Sequence, residues 1–274
     1  MLPLEPDGPP PAPKEDPMKE KRTAWIIGTG PSLRNIDVSK LKDQATITFN
    51  RAYIAFEDWG FDPTYYLSID SNDLRAIYKD VNNLIENSDI KMFFLAHLTD
   101  NVLHGAEHFQ DNDKRDDLFL KRDHVYEIHH NARPGFAGTS FDHEKRHLIS
   151  AHASNAGVMG LKALWALGYN EIAFVGCDAR YRDDEVSNKH ITKMGKEYIS
   201  HADYDVNHFR DDYFGKGMRF GKPNEIHIIR MWDLASREIN KRDDIKVYSC
   251  TENSNLNQFY KYIPFEEFLA GRRE

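Results

Sequence analysis

The sequence predicts an α/β domain, one mostly parallel sheet flanked by helices with an irregular lid. Three observations predict it. Short apolar runs (25–27, 45–49, 64–69, 91–96, 171–175 and 245–249) alternate with segments of helical character. The first run stops at a glycine-rich turn, Gly28-Thr29-Gly30-Pro31-Ser32-Leu33. Three later runs stop at the polar residues Asn50, Asp70 and, after Gly176-Cys177, Asp178. An open α/β sheet binds ligands outside the carboxyl ends of its strands, so these residues are candidates for one pocket wall.

A chain of 274 residues can bury a sizeable core, and one domain is the simpler organisation. Residues 1–22 hold Pro9-Pro10-Pro11, Pro13 and Pro17 beside alternating charges and are expected to be a disordered leader, leaving 23–270 as the folded domain. The formal net charge of −8 argues against broad nucleic-acid binding. No run approaches the ~18 apolar residues of a membrane span, and no signal-peptide pattern opens the chain, which makes a cytoplasmic location the expectation. Cys177 and Cys250 fall at strand ends and read as small buried apolar groups, with no zinc spacing or disulfide framework.

Taken in order, the strand 25–27 delivers its carboxyl end to Gly28, Thr29, Gly30, Pro31 and Ser32, whose backbone N–H groups are candidates to cradle a phosphate. Leu33 replaces the third glycine of a dinucleotide fingerprint, and Pro31 has no N–H to give. No Gly-Lys-Ser/Thr follows, so this is not a Walker loop; a tight structural turn is the competing reading. A helical turn at 38–41, a strand at 45–49, a short helix at 52–59 closed by Gly60 and a strand at 64–69 follow. Asn50 and Asp70 at the strand ends line a pocket or, alternatively, cap helices.

A helix at 74–85 and a strand at 91–96 precede a stretch near 98–152 read as an irregular lid, with a strand at 125–128 inside it. Its scattered histidines tempt a metal hypothesis, and His129-His130 is the least unlikely pair. No His-x-x-x-His lies on a clear helix with a carboxylate partner, so no metal site is expected. Asp111-Asn112-Asp113 has the Asp-x-Asp form of metal-dependent sugar transferases but sits in a charged run that reads as a solvated loop. Asn155, Ala156 and Gly157 open a small-residue helix, 158–167, capped by Gly168. Strand 171–175 then runs into Gly176-Cys177-Asp178, and 179–222 is a second irregular lid segment. The helix 224–239 is expected to bury Ile226, Ile229, Leu234 and Ile239, and 264–269 ends the fold as a short helix.

The order Gly28-Thr29-Gly30-Pro31-Ser32-Leu33, Ile36-Asp37, Asn50 and Ala166-Leu167-Gly168-Tyr169-Asn170-Glu171-Ile172 before Gly176-Cys177-Asp178 resembles two groups. One is glycosyltransferase family 42, bacterial sialyltransferases that use CMP-sialic acid. The other is the family named after the archaeal 6-hydroxymethylpterin diphosphokinase. The block 207–217 is similar to a segment of the bacterial carbohydrate-type members. The resemblance implies a single Rossmann-like domain that binds a cytidine nucleotide across Thr29, Asn50, Asp70, Asn155 and Ala156. Arg180 departs from the transferase pattern, which has a tyrosine there, although Tyr181 is adjacent.

The expected activity is therefore an inverting glycosyl transfer from a CMP-sugar carrying a sialic-acid-like, nonulosonic sugar to a surface-glycan acceptor. His208 is the candidate base. Tyr181 and Tyr213, with N–H groups of Gly30 and Ser32, the Ser32 hydroxyl, Arg180 and Lys216, are candidates to stabilise the departing phosphate. This scheme needs no cofactor and no metal, since the nucleotide leaves as a monophosphate. The partners are the nucleotide-sugar donor and the glycan acceptor, with no nucleic acid; peripheral membrane contact and homo-oligomerisation are open to it. The rival chemistry is magnesium-dependent diphosphate transfer from ATP to a pterin-like alcohol, with Asp70 and Asp178 holding the ion. A catalytically silent nucleotide-binding protein is the third reading.

Overall fold

The computed structural model describes residues 20–96, 119–130, 136–150, 155–181, 191–194, 197–200, 202–221 and 224–273. Most of the expected leader and Asp111-Asn112-Asp113 lie outside the described residues, as does the side chain of His130.

A ten-stranded sheet organises the chain. Its strands are β1 (Thr23–Ile27), β2 (Thr46–Phe49), β3 (Tyr65–Ser68), β4 (Met92–Ala96), β5 (Val125–His130), β6 (Ser140–Asp142), β7 (His147–Ser150), β8 (Glu171–Val175), β12 (Lys246–Ser249) and β13 (Lys261–Tyr262). They lie in the order β13-β12-β8-β1-β2-β3-β4-β5-β7-β6. All neighbouring pairs are parallel except β6 against β7. β1 sits between β2 and β8, so the chain builds one wing from β2 outward and then returns to the other side of β1. That reversal is the topological switch point, where a crevice opens beyond the strand ends.

Alternation along β1 divides the core. Ala24 and Ile26 face one buried cluster with α3 (Ala156–Ala166) and α4 (Glu225–Ile239), while Trp25 and Ile27 face another with α1 (Phe56–Trp59), α2 (Ser71–Asn87) and α5 (Phe265–Leu269). Trp25 is held edge-on by Phe265 and Phe268, with ring centroids 5.4 and 4.9 Å away. At the amino end of β8, burial opposes the charge of Glu171, but Arg273, Lys21 and Thr23 more than compensate and hold its carboxyl below the usual range.

Three expectations are corrected. Residues 125–150 of the supposed lid carry β5, β6 and β7, which extend the sheet. Within 179–222, β9 (Ile191–Met194), β10 (Glu197–Ser200) and β11 (Arg219–Gly221) form a separate antiparallel sheet. On α4 the buried face is Trp232, Ala235, Ser236 and Ile239, whereas Ile226 is 82% exposed and Leu234 43% exposed. Among the described residues, no helix is long and apolar enough to cross a membrane.

Candidate functional site

Two turns meet at the switch point. The Gly28 N–H donates to the Val175 carbonyl and the Gly30 N–H to the Gly176 carbonyl, both at 2.8 Å. A Cβ on Gly28 would lie 2.3 Å from the Gly176 oxygen, and one on Gly30 would lie 2.0 Å from an Asp178 carboxylate oxygen, so only glycine permits the crossing. Pro31 opens a 3₁₀ turn, Pro31–Asn35. Ser32 donates both its hydroxyl, at 2.7 Å, and its N–H to Asp178. Burial raises the pKa of Asp178, and the Ser32 hydrogen bonds only partly oppose the shift.

These contacts correct the expected phosphate cradle. The N–H groups of Gly28, Gly30 and Ser32 and the Ser32 hydroxyl are engaged by the β8 turn, and Gly28, Pro31 and Ser32 do not line the cavity. The glycines are required because two loops cross there.

Beyond the turns lies a cavity of about 350 Å³. Thr29, Gly30, Asn50, Asp70, Asn155, Ala156, Gly157, Gly176, Asp178, Tyr181, His208 and Tyr213, twelve residues named from the sequence, line it. Asn50 adopts a left-handed backbone, φ 53°, and is fixed by the Tyr66 hydroxyl donating to its carbonyl at 2.6 Å and Ser68 donating to its Oδ1 at 3.3 Å. Asn155 caps α3 by accepting from the Val158 N–H at 3.0 Å. A Cβ on Gly157 would lie 2.6 Å from Trp232, so glycine here lets α3 and α4 close together. Asn224 caps α4 in the same way, accepting from the His227 N–H at 3.1 Å. Two helix amino ends, each with partial positive charge, therefore border one cavity.

The segment 205–214 forms the facing wall and is clamped to the glycine turn. Phe209 N–H donates to the Thr29 carbonyl at 3.0 Å. Arg34 reaches the carbonyls of Asp205 and His208 and the carboxylate of Asp211. Within this segment His208 Nδ1 lies 2.7 Å from Asp205 Oδ2, and both side chains are 9% exposed. A carboxylate only accepts, so Nδ1 carries the proton, and in the neutral tautomer this leaves the lone pair on Nε2. The imidazole lies flat on Tyr213, centroids 3.9 Å apart and planes 4° from parallel, with Phe214 edge-on at 5.0 Å. Packing and hydrogen bonding thus fix both the ring and its tautomer.

Arg180 and Tyr181 complete the wall. Arg180 donates to Asn255 at 3.1 Å, Asn255 donates to the Ala179 carbonyl at 3.0 Å, and the Tyr181 N–H donates to Glu225 at 3.1 Å. Burial, with Asp178 adding to it, pushes the Cys177 thiol up, which disfavours the thiolate a nucleophile needs. The sequence reading missed Asp205, Arg34, Asn224 and His227. Asp205 stands three residues before His208, and Asn224 directly after a proline and before a helix; each spacing carries a signal.

A family model described as 6-hydroxymethylpterin diphosphokinase MptE-like matches residues 10–184. The chain belongs to this family. In sequence, no curated protein matches it. Among solved structures, it is similar to the sialyltransferase CstII from Campylobacter jejuni in complex with the substrate analogue CMP-3FNeuAc. Identity is 16% and TM-score 0.43 over 89% of this chain and 86% of that one. It is also similar to the MAf glycosyltransferase from Magnetospirillum magneticum AMB-1, at 17% identity and TM-score 0.47 over 93% of this chain and 35% of that one.

Proposed function

We propose that this MptE-like protein is an inverting glycosyltransferase that draws a nonulosonic sugar from a CMP-sugar and passes it to a glycan hydroxyl without a metal at the transfer site. The observation that carries the reading is the His208–Asp205 pair, held against a switch-point cavity with Nε2 as the basic nitrogen. In the transfer, the acceptor oxygen bonds to the anomeric carbon while its proton passes to Nε2. The bond from that carbon to the phosphate oxygen breaks, and its electron pair leaves with CMP. Charge developing on the phosphate is met by the amino ends of α3 and α4, by Arg180 and by the Tyr181 hydroxyl. Tyr213 supports the imidazole face. The motif order described above is what points to cytidine.

The family's description supports a second reading, diphosphate transfer from ATP with magnesium. Asp178 fits it poorly, because Ser32 occupies its carboxylate and burial raises its pKa.

The test is thermal stabilisation by CMP in EDTA, followed by CMP release from CMP-nonulosonates. His208→Ala is expected to keep the CMP-induced shift and lose turnover by about 10²–10⁴-fold, the range for a general base. Stabilisation by ATP only with magnesium would favour the second reading. CMP binding without turnover of any CMP-sugar would favour a silent nucleotide-binding protein.

A further inference from the structure

A second cluster lies outside the cavity, on the wing of the sheet beyond β4. Glu127 and His129 are two residues apart on β5 and so project to one face. In the parallel register β5 pairs with β7, and Glu127 stands opposite His147. Arg146, in a left-handed conformation at φ 54°, directly precedes β7, and its carbonyl accepts the Glu127 N–H at 2.9 Å, in keeping with that register. His129 Nε2 lies 3.4 Å from Glu127 Oε2, and one ligand atom from each of the three side chains lies within 4.8 Å of the others. The two imidazoles stack at 3.7 Å. All three side chains are partly open to water.

We propose that Glu127, His129 and His147 form a zinc site that ties β5 to β7. Two imidazoles and one carboxylate are a zinc donor set rather than a magnesium or calcium set, and water would supply the fourth position. Zinc–ligand bonds of ~2.0–2.2 Å in a tetrahedron put ligand atoms about 3.3 Å apart, close to the Glu127–His129 separation. The third ligand atom lies within 4.8 Å of the other two, so the site closes by side-chain movement alone on two paired strands. None of the three residues lines the cavity, so the site is distinct from the transfer chemistry proposed above.

The test uses the untagged full-length chain, stripped with chelator and titrated with Zn²⁺ by calorimetry and with Co²⁺ by visible absorption. One equivalent of each metal is expected to bind, with a tetrahedral cobalt spectrum and an EDTA-reversible rise in Tm. Glu127→Gln, His129→Ala and His147→Ala are each expected to weaken binding at least about tenfold, and His143→Ala to leave it unchanged. Glu127→Gln keeps the side-chain shape and guards against a folding artefact. Absence of saturable binding, or equal affinity in wild type and His147→Ala, overturns the proposal.

Discussion

Replacing Asp205 with Asn tests whether His208 acts as a base whose tautomer the protein sets. Asp205 Oδ1 accepts the Asn207 N–H at 2.8 Å, while Oδ2 accepts from His208 at 2.7 Å. An asparagine that keeps the Asn207 bond with its oxygen must turn its amide N–H toward Nδ1. Nδ1 then becomes the acceptor, the proton moves to Nε2, and the lone pair that the proposed base uses is lost. Loss of a hydrogen bond to a charged group costs about 1.5–3 kcal/mol, a slowing of about 10- to 150-fold from charge alone. Where such a change also flips the tautomer, as in a serine-protease triad, the loss reaches about 10⁴-fold. The burial of both side chains leaves little water to screen the effect. Asp205→Asn is therefore expected to lower kcat for CMP release by at least about tenfold while the CMP-induced Tm shift stays at its wild-type size. A kcat within twofold of wild type, or a parallel loss of CMP binding, would refute the reasoning.

Gly30→Ala should destabilise the fold by about 1–3 kcal/mol in urea unfolding, because its Cβ meets a carboxylate already pinned by Ser32, whereas Gly215→Ala, with open space around it, should stay within about 0.5 kcal/mol. Asp178 supplies a pH signature. Its raised folded pKa means that the folded chain keeps a proton the unfolded chain has released, so its contribution to stability declines as pH rises through that interval. Asp178→Asn removes this slope, and its Tm relative to wild type should become more favourable as pH rises above about 4, the usual aspartate value; a constant difference between the two proteins would contradict it.

The strand ends were legible because a buried parallel strand is a run of apolar residues and its polar stop is conspicuous; hence Gly30, Asn50, Asp70 and Asp178 were placed together from the sequence. The direction of the N–H groups was not legible. Whether Gly30 and Ser32 serve a ligand or the protein depends on which carbonyl and carboxylate stand opposite, and those belong to residues 176–178, far along the chain. β6 and β7 are short, polar-faced strands at the sheet's far edge, with no apolar run to mark them. The face of α4 was misjudged by following isoleucines whose spacing drifts off the helical repeat. Ile228, Trp232, Ala235 and Ile239 keep it, and the sheet packs against those. Asp205 escaped notice because a dyad depends on the turn between its members.

The crossing of the β1 and β8 turns bears on how the molecule comes to be competent at all. Thr23 on β1 meets Glu171 on β8, 148 positions later in the chain, so the cavity floor waits on one of the longest loop closures in the fold. A nascent chain that has released only its first wing owns the glycine turn without its counterpart and has no cavity. Once the turns lock, the seam is shared between the centre of the sheet and the cavity. Opening the cavity at that point breaks the sheet, so a ligand bound there would act on the cooperative unfolding of the whole domain rather than on a detachable flap.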